Sequence, residues 1–209
     1  MNIIIFGPSG SGKGTQAELL SKKLKISTVS MGKLFRQAYD KGTPEGIEAY
    51  HYWGKGNWVP GDLTFKVLKP AVDRCSKGFI LDGYPRRKDQ IPPLERYLKK
   101  RNQKVDWTIL LWISDKEAVK RLLLRAKKDA ETKGKARIDE TEEVIKARLA
   151  SYHRTVGPII EYFRQQGILM EVDGERPIEV IHQDILSKLK ISELVAGGAI
   201  SKLVADAIG

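Results

Sequence analysis

The chain has 209 residues, of which 41% are hydrophobic and 30% charged, and this suits one compact domain with insertions. No apolar run is long enough to cross a membrane, and the N-terminus reads as a strand rather than a signal peptide. The single cysteine, Cys75, excludes an intramolecular disulfide and a cysteine-based zinc site. Together these features predict a cytoplasmic protein without a membrane segment.

The formal net charge of +11 has two interpretations. A strongly basic chain is typical of proteins that bind nucleic acids. The basic residues are not gathered in one arm, however, and several arginines fall inside the motifs described below. We therefore favour a small ligand rich in phosphate over a nucleic acid as the partner.

The first predicted strand, Asn2 to Phe6, runs directly into the glycine-rich loop Gly7 to Thr15, and a helix follows. Glycines allow consecutive backbone N–H groups to curl around an anion, and the helix directs its positive end to the same place. Lys13 adds a charge that can reach the outer phosphates. This order predicts a nucleotide phosphate site, with a plain turn between strand and helix as the alternative.

Strand and helix patterns then alternate along the chain. Further strands are predicted at 25–29, at 79–82, at 107–113 and near 167–174. A helix is predicted from Lys116 to about Arg125, then a polar, mobile segment over 126–136, and a closing helix over 178–190. This alternation predicts an α/β fold, in which a five-stranded parallel sheet binds its ligand at the carboxyl ends of the strands.

A second informative segment spans residues 77–86, where a short apolar strand ends in Asp82. A carboxylate at this position beside the phosphate loop can hold Mg²⁺ through water, although such an acid is often only a turn former. The sequence Gly83-Tyr84-Pro85-Arg86 follows and predicts a rigid turn that projects an arginine.

Six segments, taken in order, resemble the adenylate kinase family of nucleoside monophosphate kinases over residues 1 to about 190. They are Gly7 to Gln16, Ser30 to Arg36, Gly56 to Val59, Asp82 to Arg86 with Gln90, Arg121 with Arg125, and Arg137 with Arg148 ahead of Tyr152-His153. The resemblance implies a P-loop three-layer fold of the short-lid form. It also implies reversible transfer of the γ-phosphoryl group from Mg-ATP to AMP, giving two ADP, with Mg²⁺ as cofactor.

The resemblance further implies roles for individual residues. The donor, ATP or another nucleoside triphosphate, would contact Gly10, Ser11, Gly12, Lys13, Gly14, Thr15, Arg121, Arg125, Arg176 and Ile178. The acceptor AMP would contact Met31, Arg36, Asn57, Trp58, Val59, Gly83, Tyr84, Pro85, Arg86, Gln90, Arg137 and Arg148. The catalytic group would be Lys13, Arg86, Arg121, Arg125, Arg137 and Arg148. The metal would be held by Asp82 through water, with Thr15 as a second candidate. His153 is expected to pack in the core near Tyr152 rather than to act as a base.

The same resemblance divides the chain. The core would comprise 1–29, 60–124 and 138–190, the acceptor-binding subdomain 30–59, the lid 125–137 and a helical C-terminal extension 191–209. One apolar face of the extension predicts either packing on its own core or a homo-oligomer. Met31, Lys33 and Trp58 depart from the family pattern on the acceptor side, so CMP or UMP is the alternative acceptor. A nucleic-acid-binding P-loop protein is the alternative from another functional class.

Overall fold

The computed structural model describes residues 1–133 and 141–196. Its strands are β1 (Asn2–Phe6), β2 (Ser27–Ser30), β3 (Phe79–Asp82), β4 (Trp107–Trp112) and β5 (Leu169–Asp173). All neighbouring strands pair in parallel, in the order β2-β3-β1-β4-β5. The prediction of a five-stranded parallel sheet is therefore confirmed, with β1 at its centre.

The helices occupy both faces of this sheet. They are α1 (Lys13–Leu24), α2 (Met31–Asp40), α3 (Pro44–Trp53), α4 (Gly61–Asp73), α5 (Ile91–Lys99), α6 (Asp115–Lys133), α7 (Glu142–Gln165) and α8 (Ile178–Ala196). None of the helices in the described ranges is long and apolar enough to cross a membrane.

Two helix ends differ from the sequence prediction. Helix α6 continues to Lys133 instead of ending near Arg125, because residues 126–133 contain neither glycine nor proline. The predicted mobile segment is thus helical as far as Lys133. Helix α8 likewise continues past 190 to Ala196. The remainder of the predicted lid and of the C-terminal extension lies outside the described residues.

Both faces of β1 are buried, as a central parallel strand requires. Ile3 and Ile5 pack with apolar residues of α1 and α8, whereas Ile4 and Phe6 pack with residues of α4, α5 and α7. The sheet therefore lies between two helical layers, which confirms the three-layer architecture. This packing fixes the loop that leaves β1 against the rest of the sheet.

Helices α2 and α3 approach each other closely at Gly46, where a Cβ atom would lie 2.2 Å from the carbonyl carbon of Ala38. We expect Gly46→Ala to lower the free energy of unfolding by about 1–3 kcal/mol, since the helices would have to separate. Gly157 in α7 has no neighbour within 4 Å of such an atom, so Gly157→Ala is the matched control. It should raise stability by about 1 kcal/mol through helix propensity. Urea unfolding measures both changes, and equal midpoints for the two variants would contradict this packing.

Candidate active site

A cavity of about 930 Å³ lies at the carboxyl ends of the parallel strands. The sequence-predicted residues that line it are Gly10, Ser11, Gly12, Lys13, Gly14, Thr15, Met31, Arg36, Asn57, Trp58, Val59, Asp82, Gly83, Arg86, Gln90, Arg121, Arg125, Arg148, Arg176 and Ile178. Residues from both the predicted donor set and the predicted acceptor set thus share one cavity. Arg137 is the one predicted site residue that lies outside the described residues.

The loop after β1 lines part of the cavity. Gly7, Gly10 and Gly12 all have positive φ angles, of 145°, 85° and 89°, which residues with a side chain rarely adopt. Gly12 directly precedes the first turn of α1, so the unpaired N–H groups of that turn point toward the loop. The geometry is that of an anion-binding loop at a helix N-terminus.

Lys13 is buried in this loop and is only 6% exposed. Its Nζ donates hydrogen bonds to the Pro8 carbonyl oxygen at 2.6 Å and to Ser11 Oγ at 3.4 Å. Burial and, to a smaller extent, the nearby Arg86 lower the pKa of Lys13 to about 7, although Asp82 opposes the shift. An anion beside Lys13 would favour its charged form.

Positive charge predominates around the whole cavity. Among the described residues, eight lysines and arginines line it against three acidic side chains, and the eight are Lys13, Lys33, Arg36, Arg86, Arg121, Arg125, Arg148 and Arg176. Burial lowers the pKa of Arg86 to about 10, and Arg148 acts in the same direction. A cavity of this kind suits a ligand with several negative charges.

Asp82 lies beside the phosphate loop, as expected for the last residue of β3. Its Oδ2 accepts a hydrogen bond from Ser30 Oγ at 2.9 Å, and a Cβ atom on Gly14 would lie 3.7 Å from the same oxygen. Ser30 pairs with Asp82 in the register of β2 and β3. Sequence reasoning missed this contact, because it requires knowing that these two strands are neighbours.

Arg86 lines the same cavity and is held by several protein contacts. Its Nε donates to the Gly83 carbonyl oxygen at 2.9 Å, and its backbone N–H donates to Gln90 Oε1 at 2.6 Å. Its Nη1 is buried and has no hydrogen-bond partner among the described residues. A buried cationic donor without a partner is costly, which indicates that a ligand oxygen completes the site.

Gln90 is 1% exposed, and its amide is fully engaged within the protein. In addition to accepting from Arg86, it donates through Nε2 to the Val59 carbonyl oxygen at 3.0 Å and to Thr64 Oγ1 at 3.2 Å. These bonds connect the segment around Val59 to the turn that carries Arg86. Gln90 therefore supports this turn structurally, and its predicted contact with AMP stays a prediction.

Tyr84 and Pro85 are the two described residues of the predicted acceptor set that do not line the large cavity. Tyr84 is fully buried, its hydroxyl donates to the Gln90 carbonyl oxygen, and burial raises the pKa of that hydroxyl. The Tyr84–Pro85 peptide bond is cis. The structure gives these two side chains a place in the turn between Gly83 and Arg86 rather than on the cavity wall.

Arg121, Arg176 and Ile178 form the wall near the ends of β4 and β5. Arg121 donates to Glu117 Oε1 at 2.7 Å and to the Gly174 carbonyl oxygen at 2.9 Å. Its guanidinium is thus fixed across the α6 helix and the turn after β5, rather than solvated on a helix face. Arg176 forms an ion pair with Asp184, at 2.6 Å.

His153 does not pack in the core, so that expectation was wrong. Its side chain is exposed, and Nε2 lies 2.8 Å from Asp115 Oδ1, although its ring also contacts Tyr152 edge to face. On a long surface helix such as α7, an acidic partner at the start of α6 draws the imidazole outward. Sequence reasoning also missed Trp53 and Thr64 on the cavity wall, and no motif signalled them.

Comparison with known proteins agrees with this geometry. Residues 5–168 match the model of the family described as adenylate kinase. An adenylate kinase of Mycolicibacterium smegmatis is 41% identical over 191 residues, which cover 90% of this chain and 99% of the relative. One from Pseudarthrobacter chlorophenolicus is 38% identical over 91% of this chain and 97% of its own length. One from Archaeoglobus fulgidus is 36% identical over 91% of this chain and its own full length. A phosphate loop, an arginine-rich cavity and this match across most of the sequence agree, and the chain belongs to the adenylate kinase family of nucleoside monophosphate kinases.

Proposed function

We propose that this protein transfers the γ-phosphoryl group of ATP reversibly to AMP, giving two ADP. The observation that carries the proposal is the one cavity that is lined both by a phosphate loop and by Arg86, whose Nη1 is buried and unsatisfied. Its volume of about 930 Å³ is near the upper end of the usual range for one ligand, which suits two nucleotides. The relatives named above are all called adenylate kinases.

At the donor end, the backbone from Gly10 to Thr15 would surround the phosphates of ATP. Lys13 would exchange its hydrogen bond with the Pro8 carbonyl for one with a phosphate oxygen, which also stabilises its charged form. Arg121 and Arg125 would lie against the donor, and the main chain near Arg176 and Ile178 would meet its base. Main-chain contacts distinguish bases weakly, so other nucleoside triphosphates are alternative donors.

At the acceptor end, Arg36 and Arg86 would hold the phosphate of AMP. A planar guanidinium binds two phosphate oxygens at once, which fixes both the position and the direction of the group. The remaining proposed acceptor contacts are Met31, Asn57, Trp58, Val59, Gly83, Tyr84, Pro85, Gln90 and Arg148, together with Arg137. For Tyr84 and Pro85 the contact would be through the turn that they shape.

Phosphoryl transfer requires alignment and charge stabilisation rather than a covalent helper. Lys13, Arg86 and Arg148 line the same cavity and would surround the negative charge that spreads over the transferring group. Arg121, Arg125 and Arg137 complete the proposed catalytic set. Because Lys13, Arg86 and Arg148 already line the cavity, little reorganisation of these three cations is needed during the reaction.

The residues present fit a magnesium ion as cofactor. Mg²⁺ usually keeps several waters and uses one or two carboxylates together with substrate phosphates, and Asp82 offers one carboxylate beside the phosphate loop. Asp82 would hold the ion through water, and Thr15 on the cavity wall is a second candidate. When bound, the ion would neutralise charge on the donor phosphates.

Two segments would close over the substrates. The acceptor-binding subdomain would span 30–59 and the lid 125–137, both attached to a core of 1–29, 60–124 and 138–190. Closure would exclude water, which otherwise competes with AMP for the phosphoryl group. The start of the lid as far as Lys133 is part of α6, so we propose that this helical portion swings with Arg125.

A direct assay tests the proposal. The protein is incubated with Mg-ATP and AMP, CMP, UMP or GMP separately, and the diphosphates are measured by chromatography. We expect ADP from AMP at a rate at least an order of magnitude above that of the other acceptors. Faster conversion of CMP or UMP would favour the alternative acceptor, and no diphosphate with any acceptor would refute the kinase. RNA binding that ATP does not weaken would then favour the nucleic-acid alternative.

Two finer properties stay predictions. A cytoplasmic location is supported by the single buried cysteine, Cys75, which suits a reducing compartment. A homo-oligomer formed through 191–209 is supported only by the apolar face in the sequence, since 197–209 lie outside the described residues. Light scattering of the full chain, and of a chain that ends at residue 190, would decide the second.

A further inference from the structure

Trp58 contacts two parts of the protein that lie outside its own segment. The guanidinium carbon of Arg86 lies 4.7 Å from the centre of the Trp58 ring system, over its face. The indole Nε1 donates a hydrogen bond to Thr155 Oγ1 on α7 at 3.1 Å. The ring is therefore anchored by its N–H to α7 while its face covers the arginine.

The backbone beside Trp58 is fixed to the same helix. Gly56 has a φ angle of 78°, and a Cβ atom there would lie 2.9 Å from both the Val144 carbonyl oxygen and the Ala147 Cβ atom. Only a glycine permits this approach of the loop to α7. The position of the Trp58 ring is thus set from two sides, by its own loop and by Thr155.

The ring completes the set of contacts that hold the Arg86 guanidinium. Gly83 accepts from Nε, and Gln90 holds the backbone of Arg86, but neither bond restrains the outer nitrogens directly. A cation–π contact with a fixed indole face restrains the plane of the guanidinium. Nη1 then keeps one orientation, in which it can donate a hydrogen bond to a phosphate oxygen when the acceptor binds.

A role in stacking on the acceptor base is the competing interpretation, since aromatic rings are common platforms for bases. In this chain one face of Trp58 already covers Arg86, and its only polar atom already bonds to Thr155. We propose that Trp58 is a positioning residue for the acceptor phosphate, because it fixes the guanidinium of Arg86. This inference rests on the proposed function and adds a residue that acts through Arg86 rather than on the base.

The test compares ligands that differ only in the phosphate. Dissociation constants for AMP and for adenosine are measured by calorimetry or by competitive inhibition with the wild type and Trp58→Leu. We expect Trp58→Leu to weaken AMP binding by about threefold to thirtyfold, the range of a cation–π contact, and to leave adenosine within about twofold. Trp58→Phe should recover most of the loss, since it keeps an aromatic face. Trp112→Leu, at an exposed tryptophan outside the cavity, is the matched control and should not weaken the binding of AMP.

A double-mutant cycle gives an independent measurement. If Trp58 acts through Arg86, then Trp58→Leu should have no measurable effect on AMP binding in an Arg86→Gln background. Equal losses for AMP and adenosine, or the same loss in both backgrounds, would overturn the proposal in favour of base stacking. An unchanged dissociation constant for AMP in the Trp58→Leu variant would overturn the proposal as well. A wild type that binds no AMP would instead refute the proposed function, so the two failures are distinguishable.

Discussion

Lys13→Met is expected to lower the turnover number about a hundredfold to a thousandfold, the usual cost of removing one preorganised donor from a site where charge develops. Lys13 Nζ is buried within the phosphate loop and bonds to Pro8 and Ser11. Water that enters the loop in its place would not supply the lost positive charge. Steady-state assays with ATP and AMP measure the loss. Lys66→Met, at an exposed lysine of α4, is the control and should retain normal turnover.

Lys13→Met should raise the stability of the folded protein even though it lowers turnover. Burial lowers the pKa of Lys13 from 10.5 to about 7 in the folded protein. Between these pH values the unfolded chain binds a proton that the folded one does not, so the free energy of unfolding of the nucleotide-free wild type rises with pH. Lys13→Met removes this dependence, and the variant should be more stable than the wild type near pH 7. Urea unfolding at pH 7 and pH 9.5 tests this. A Lys13→Met variant that is less stable than the wild type at pH 7 would contradict the conclusion that burial destabilises the charged form of Lys13.

Arg86→Ala is expected to lower kcat/KM for AMP about a hundredfold to a thousandfold while the KM for ATP changes little. Arg86 Nη1 is buried without a hydrogen-bond partner among the described residues. The contacts to Gly83 and Gln90 orient the residue through Nε and the backbone N–H but do not involve Nη1. We expect an acceptor phosphate to supply the missing hydrogen-bond partner of Nη1. Kinetics with each substrate varied in turn separate the two effects.

Arg86→Lys is the informative companion variant. Lysine keeps the positive charge but cannot present a planar pair of donors, so it should recover only part of the loss. Arg86→Ala should also raise the pKa of Lys13, because Arg86 is the second largest cause of its depression after burial. An Arg86→Ala enzyme whose KM for ATP rises more than its KM for AMP would place this arginine at the donor instead.

The parts of the site that sequence reasoning found are those whose signal is local. The phosphate loop requires particular residues in one short stretch, and Asp82 marks the end of an adjacent strand, so both could be predicted without the fold. The continuation of α6 beyond Arg125 could not, because the polar residues after Arg125 suit a loop and a surface helix equally well.

The contacts that the sequence did not reveal join residues far apart in the chain. Ser30 reaches Asp82 only because β2 and β3 are neighbours in register. Trp58 departs from the family pattern and was predicted only to contact AMP, and the structure places its ring on Arg86. Such contacts depend on how elements dock, and the residue types alone are compatible with several partners.

We expect local unfolding of the proposed acceptor-binding segment, residues 30–59, to begin outside the loop at Gly56. That loop packs against the Val144 carbonyl and Ala147 of α7, and Gln90 bonds to the next part of it at Val59. We therefore expect this loop to open only together with the core, and we expect α2 and α3 to open at a lower free energy than the loop. The segment would then consist of two cooperative units, and the unit that contains the Gly56 loop would be ordered before any nucleotide binds.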